Sequence, residues 1–167
     1  MLSVDEFVEA VIPDLARYAA GLTGSREGAH DVVADALLYV IGHWDRVGQM
    51  ARPAAYAQRV VTTTFLQGVR RAKNERRAFQ RSFVNDQACD PTGEAEDRDE
   101  IKHLLSRLSA SQLAAVVMYY YLDLNAEQIG VNLGCSAAAA RAHLSKARAR
   151  LRVITQTEVP RMSGDVP

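Results

Sequence analysis

Aromatic residues are scarce in this chain, 7% of 167 positions, and a core built mainly on large rings is thereby excluded. Hydrophobic content of 48%, with many alanines, suits small helical cores instead. Cysteine is almost absent: Cys89 and Cys135 stand far apart and outside any CxxC or CxxxxH spacing, so neither a disulfide nor a metal site is expected. No apolar run approaches the roughly 18 to 20 residues of a membrane span, so no membrane insertion is expected. The acidic N-terminus does not resemble a secretory signal, and the cytoplasm is the expected location. His30, His43, His103 and His143 are scattered, and HExxH, GxSxG and P-loop patterns are missing. No catalytic group, metal or cofactor is therefore expected. Sustained β alternation and internal repeats are missing too, which leaves an all-α fold.

Net charge is also lacking, because twenty basic side chains balance twenty acidic ones. The balance hides blocks. Residues 1–45 carry two basic against eight acidic side chains, and residues 46–85 carry nine against one. Residues 86–100 then carry one against seven, and residues 101–152 carry seven against two. Two basic blocks with an acidic spacer between them suggest two anionic contacts, so overall neutrality does not exclude DNA.

Helical spacing organises the first half. Phe7, Val11, Leu15, Tyr18 and Leu22 mark one helix, with Pro13 a candidate kink, and a Thr23-Gly24-Ser25 turn follows. A second helix spans about Arg26 to Gly42, with Val32, Val33, Ala36, Leu37, Val40 and Ile41 on its apolar face and Asp31 and Asp35 one turn apart on the other. His43 to Arg52 reads as a loop in which His43 and Trp44 form a packing pair. Pro53 then opens a third helix through Tyr56, Val60, Val61, Thr64, Phe65 and Val69 to about Arg81. The polar, acidic stretch 85–100, with Pro91-Thr92-Gly93, reads as a flexible linker.

The last third carries the sharpest local signal. A helix rich in Ala, Val, Met and Tyr is expected to stop at Leu124, and Asn125 opens a short helix with Gln128 placed to complete a capping box. Gly134 suits the left-handed position after that helix, and Ser136 caps the next one. On the final helix Ala140, Leu144, Ala147 and Leu151 recur at burial spacing, while Ala138, Arg141, Ala142, Ser145, Arg148 and Arg152 share the other side. Two short helices around one turn form the unit that places a helix in the DNA major groove.

Taken together, LARYAAGLTG (15–24), AHDVVADALLYV (29–40), HW (43–44), RPAAYAQRVVTTTFLQGVRR (52–71), the helix-turn-helix and KARARLR (146–152) resemble the extracytoplasmic-function sigma factors of the sigma-70 family. The likeness spans about residues 5–152 and is strongest to actinobacterial members whose third helix contains Tyr-x-x-Arg-Val-Val. It implies two small helical domains, a region 2-like unit over 1–84 and a region 4-like unit over 101–153, with the linker at 85–100 and a tail at 154–167. It also implies a transcription initiation factor that binds core RNA polymerase at the β′ clamp and β flap. Such a factor selects promoter DNA, helps melt the minus-ten element, and commonly has an anti-sigma partner.

The same resemblance distributes roles along the chain. Asp31, Asp35 and Leu38 would dock on the polymerase clamp. Arg59, Thr63, Arg70, Arg71, Lys73, Arg76 and Arg77 would contact the minus-ten DNA, since strand separation needs cations on the backbone and a surface for an extruded base. Tyr56 and Phe65 are candidates for the core or for stacking, with the core favoured because both fit the apolar stripe. Ser136, Ala138, Arg141, Ser145, Lys146 and Arg148 would meet the minus-thirty-five element. There Arg141 is the candidate for a guanine edge, and Ser145, Lys146 and Arg148 are phosphate contacts.

Departures from the family pattern cluster on the DNA-facing positions. Ala34 stands where Gln is common, and Thr62-Thr63-Thr64 and Gln67 where Asn and Asp are common. Ala138-Ala139-Ala140 replaces Gly-Thr-Val, and Ser109 and Leu113 stand at the places of a Leu-Pro pair and an Arg. Four consecutive alanines offer methyl contacts but no hydrogen bonds, so shallow minus-thirty-five specificity is expected. Two rival readings remain open at this level: a stand-alone helix-turn-helix regulator, and a degenerate sigma-like interaction protein.

Overall fold

The computed structural model describes residues 3–82 and 102–158, and every element in them is helical. The expected linker at 85–100, Cys89, and the end of the tail from 159 lie outside the described residues. Helix α1 (Val4–Thr23) starts on a capping box: Ser3 Oγ accepts the Glu6 amide at 3.2 Å, and the Glu6 carboxylate accepts the Ser3 amide at 2.8 Å. Hydrogen bonding of the Glu6 carboxylate to the Ser3 backbone amide, and secondarily to the Ser3 side chain, holds the Glu6 carboxyl below its ordinary pKa. Pro13 lies on the exposed side of α1 and does not break it. Helix α2 (Arg26–Gly42) is capped by Ser25, whose Oγ accepts the Gly28 amide at 3.0 Å.

The expected loop at 43–52 contains a helical turn, α3 (Trp44–Val47). Packing explains it. The Trp44 ring lies 4.8 Å from that of Phe7 and Val47 is fully buried, and only a helical turn brings residues three apart to one side. His43 does not pair with Trp44; it stacks on Tyr39 at 4.2 Å, with its Nδ1 2.8 Å from the Tyr39 carbonyl oxygen. Helix α4 (Pro53–Ser82) buries Ala57, Val61, Thr62 and Leu66 in its first half. From Gln67 to Phe79 every side chain is exposed, because the apolar stripe gives way to arginine and lysine.

Among the three threonines 62–64, only Thr62 enters the core. Its Oγ1 lies 2.6 Å from the Tyr18 hydroxyl, both groups being buried, and it also donates to the Gln58 carbonyl at 3.0 Å. With its own proton used on Gln58, Thr62 receives the Tyr18 proton. Burial pushes the Tyr18 phenol up to about 12.

In the second half a short helical stretch at 102–106 precedes α5 (Ala110–Tyr121), α6 (Ala126–Leu133) and α7 (Ala137–Glu158). Ser109, one of the departures, is itself a helix cap: its Oγ accepts the Gln112 amide at 3.3 Å, and Gln112 accepts the Ser109 amide at 3.2 Å. Helix α5 stops at Tyr121 rather than at Leu124. Asp123 takes a left-handed φ of 53°, which aspartate tolerates better than most residues, and the Leu124 amide turns back to the Met118 carbonyl at 3.2 Å.

The helix-turn-helix forms as its caps require. Asn125 and Gln128 exchange bonds of 2.9 Å each, and Gly134 adopts φ 68°. Gly130 lets the turn close, since a Cβ there would sit 2.8 Å from the Cys135 carbonyl oxygen. Ser136 Oγ accepts the Ala139 amide at 3.1 Å, and Ala140, Leu144 and Ala147 are buried with Leu151 packed beside them.

The two halves are packed together. Helix α5 lies against α1 and α4, and α6 also meets α4, so the buried side chains form one continuous cluster. Gly21 faces Val117 at this junction: a Cβ there would lie 3.4 Å from a Val117 methyl, in van der Waals contact, so a larger side chain has no room. The Tyr121 ring sits 6.2 Å from that of Tyr18 across the same junction.

Candidate nucleic-acid interface

Helices α2 and α4 diverge to leave a depression of about 650 Å³ on the first half. Its lining joins Tyr39 and Tyr56 with Arg46, Arg59 and Arg71, and adds Thr63, Thr64, Gln67 and Asp35. Tyr56 is half-buried, with one side of its ring against the core and its hydroxyl a long 3.5 Å from Arg46 Nη2. Phe65 packs on the core, as its place in the apolar stripe requires, and does not line the depression. Aromatic rings beside guanidinium groups form a surface that can stack a base while holding its phosphate.

The expected minus-ten residues divide into two groups. Arg59, Thr63 and Arg71 meet in the depression, whereas Arg70, Lys73, Arg76 and Arg77 are exposed farther along α4 and do not line it. Thr63 spends its hydroxyl proton on the Arg59 carbonyl at 3.0 Å, leaving its oxygen as an acceptor. Tyr39 and Arg46 were not among the sequence candidates. Tyr39 lies one turn beyond Asp35, which was the available signal; Arg46 is brought in only by the turn of α3.

Asp31, Asp35 and Leu38 lie on exposed parts of α2, Leu38 at 70% exposure. Such exposure is unusual for leucine beside other uncovered apolar groups, here Tyr39 and Ile41. Asp31 faces solvent, while Asp35 also borders the arginine-lined depression. One helix therefore presents an apolar patch with acidic neighbours next to the basic cavity.

On the second half, the exposed side of α7 forms a depression of about 470 Å³ with the end of α5 and the start of α6. Arg141, Ser145 and Arg148 line it together with Arg152 and Tyr119. Ser136, Ala138 and Lys146 are exposed on α7 or its cap but outside this depression, and the Ser136 side chain is occupied as a helix cap. Arg141 Nη1 contacts Glu127 Oε1 at 3.3 Å, an exposed pair between the two helices of the motif. Arg148 donates from Nε to the Tyr120 hydroxyl at 3.3 Å, a bond that raises the guanidinium pKa further, and its guanidinium lies 4.9 Å from the Tyr119 ring centre. Glu127 and the two tyrosines escaped the sequence reading because their partners sit 14 to 29 residues away.

No helix among the described residues is long and apolar enough to cross a membrane. Residues 7–75 match the family model "Sigma-70 region 2", and residues 98–151 match "Sigma-70, region 4". The chain is 31% identical over 144 residues to the ECF RNA polymerase sigma factor SigL of Mycobacterium tuberculosis, covering 84% of this chain and 81% of that protein. It is 28% identical over 152 residues to the RNA polymerase sigma-E factor of Streptomyces avermitilis, covering 91% of this chain and 84% of the relative. In fold it resembles the sigma factor RpoE of Bartonella quintana, solved with the anti-sigma factor NepR, at TM-score 0.70 and 22% identity over 93% of this chain and 98% of that one. A second fold match, in the PhyRSL–NepR complex of Sphingomonas sp. Fr1, has TM-score 0.64 and 16% identity over 99% of this chain and 98% of that one. A match to region 2 across the first half sets aside the stand-alone helix-turn-helix regulator. With both regions in order and a 31% identical relative aligned over most of its length, the chain belongs to the extracytoplasmic-function sigma factors of the sigma-70 family, transcription initiation factors of RNA polymerase.

Proposed function

We propose that this sigma factor opens the minus-ten element with the depression between α2 and α4 and anchors on the minus-thirty-five element with α7. The observation that carries the proposal is the meeting of Tyr39 and Tyr56 with Arg46, Arg59 and Arg71 around one cavity. An extruded base stacks on the tyrosines, the arginines hold its flanking phosphates, and Thr63 and Gln67 supply polar contacts to the base edge. Arg70, Lys73, Arg76 and Arg77 extend the cationic track along α4.

Asp31, Asp35 and Leu38 dock on the polymerase β′ clamp, where carboxylates meet basic side chains and Leu38 fills an apolar site. The C-terminal domain sits on the β flap. The division into 1–84, 85–100, 101–153 and 154–167 follows these tasks. The factor carries no catalytic group, works in the cytoplasm, and is held by an anti-sigma factor; the Bartonella relative's capture with NepR supports that last role. At the minus-thirty-five element, Arg141 is the best candidate for bidentate bonding of a guanine, and Glu127 competes for it.

Transcription by the holoenzyme from a randomised promoter library tests both halves. Arg59→Ala with Arg71→Ala should lower open-complex formation at least about tenfold while polymerase binding persists. Asp31→Lys with Asp35→Lys should abolish polymerase binding. Single base changes in the minus-thirty-five element should each cost no more than about 1 kcal/mol, the lower end of the usual range. Costs of several kcal/mol each would refute the shallow-reader assignment, and unimpaired melting by the arginine variant would refute the cavity's role.

A further inference from the structure

Three tyrosines in a row close α5, and the fold gives them different work. Tyr121 turns toward Tyr18 at the junction of the two halves. Tyr119 and Tyr120 stay on the surface, 38% and 66% exposed, and their rings meet edge to face at 4.9 Å. Together they form a bracket around one side chain from another helix. The Arg148 guanidinium lies 4.9 Å from the Tyr119 ring centre and 5.9 Å from that of Tyr120, and its Nε donates to the Tyr120 hydroxyl at 3.3 Å.

An arginine on an exposed helix face ordinarily samples many rotamers and loses that freedom on binding. Stacking on one ring and bonding to the other removes most of the loss beforehand. The bracket consumes the Nε donor on Tyr120 and adds a hydrogen bond to Tyr119, and the guanidinium's other N–H groups remain for another acceptor. Their surroundings favour an anion. Arg141, paired with Glu127, and Arg152 line the same depression, and Ala126 brings the positive end of α6 to its edge.

We infer that Tyr119 and Tyr120 are positioning residues for promoter binding, holding Arg148 in a fixed plane to meet a backbone phosphate of the minus-thirty-five DNA. The inference rests on the placement of α7 on that element and adds the end of α5 to the surface that governs DNA affinity. It gives Arg148 a phosphate contact independent of sequence, and so contributes anchoring rather than base choice.

The test uses holoenzyme assembled from core polymerase and the full chain, with promoter fragments selected from a randomised library by the wild type. Affinity is read by fluorescence anisotropy over a range of salt concentrations. Tyr119→Leu keeps apolar bulk and removes the ring, and it should weaken binding about three- to tenfold. Tyr119→Phe keeps the ring and should restore wild-type affinity. Arg148→Ala should weaken binding and lower the magnitude of the salt slope by about 0.9, the signature of one lost phosphate contact. In the Arg148→Ala background, Tyr119→Leu should cause no further loss. An equal loss in both backgrounds, or failure of Tyr119→Phe to restore affinity, overturns the bracket and points to a protein-docking role for the tyrosines. If Arg148→Ala behaves as stated and the tyrosine variants match wild type, the bracket alone falls. If the wild-type holoenzyme does not prefer the selected fragments over random duplex, the placement of α7 on DNA falls as well.

Discussion

Tyr18 illustrates how much one buried hydroxyl can determine. Its proton goes to Thr62 across the α1–α4 contact, and burial holds the phenol at about 12 against an ordinary 10.0. Because the folded state binds the proton more tightly than the unfolded chain, the resulting stabilisation is complete below pH 10. It fades as pH rises from 10 toward 12. The loss should reach about 2–3 kcal/mol at the upper end. Tyr18→Phe lacks the titrating group but gives up a hydrogen bond worth about 1 kcal/mol. Urea unfolding at several pH values should therefore find wild type the more stable at pH 8 and the phenylalanine variant the more stable at pH 12. Parallel curves with no crossing would mean that the phenol is not the group responsible.

Helix ends, rather than helix interiors, shape the C-terminal half. Capping boxes at Ser109 and Asn125 satisfy amides that would otherwise be orphaned, and Gly134 turns the chain between α6 and α7. Gly134 meets no atom within 4 Å of where a Cβ would be, so the cost of a side chain there is purely one of backbone conformation. Gly134→Ala should destabilise the protein by about 1–2 kcal/mol, the penalty of a left-handed alanine. Thermal unfolding followed by circular dichroism would register it as a lower midpoint with unchanged helix content at 20 °C. An unaltered midpoint would show that the turn can reach a right-handed alternative.

For the molecule as a whole, the junction between the halves is the feature most open to manipulation. At this junction Gly21 faces Val117, with room for no more than a methyl group between them. Gly21→Trp should push α5 away from α1 and separate the halves while each keeps its own helices. Small-angle X-ray scattering would then give a larger radius of gyration than wild type, with the far-ultraviolet circular dichroism preserved. If the radius did not change, the junction would have absorbed the indole by local repacking. Separation also bears on function, because the two candidate DNA surfaces lie on different halves and their spacing follows from how α5 and α6 sit on α1 and α4.

Much of this was legible in the sequence, because local periodicity and capping chemistry act over three or four residues. Apart from Ile41 and Val69, which are exposed, the apolar stripes of α1, α2, α4 and α7 follow from residues near one another in the chain, as do the Asn125–Gln128 box and the positive φ of Gly134. The two basic blocks and the ordered sigma-like motifs likewise needed no coordinates. Contacts between distant segments were not legible. Pairing Trp44 with Phe7 turned an expected loop into α3, and Asp123 ended α5 before Leu124. The fold alone sorted three consecutive threonines into one core residue and two cavity residues, and three consecutive tyrosines into one junction residue and a bracket for Arg148. Sequence alone determined the long helices and the caps of the helix-turn-helix, since those depend on neighbours along the chain. Tertiary structure decided which identical residues face a core, a cavity or a cation, since those depend on neighbours in space.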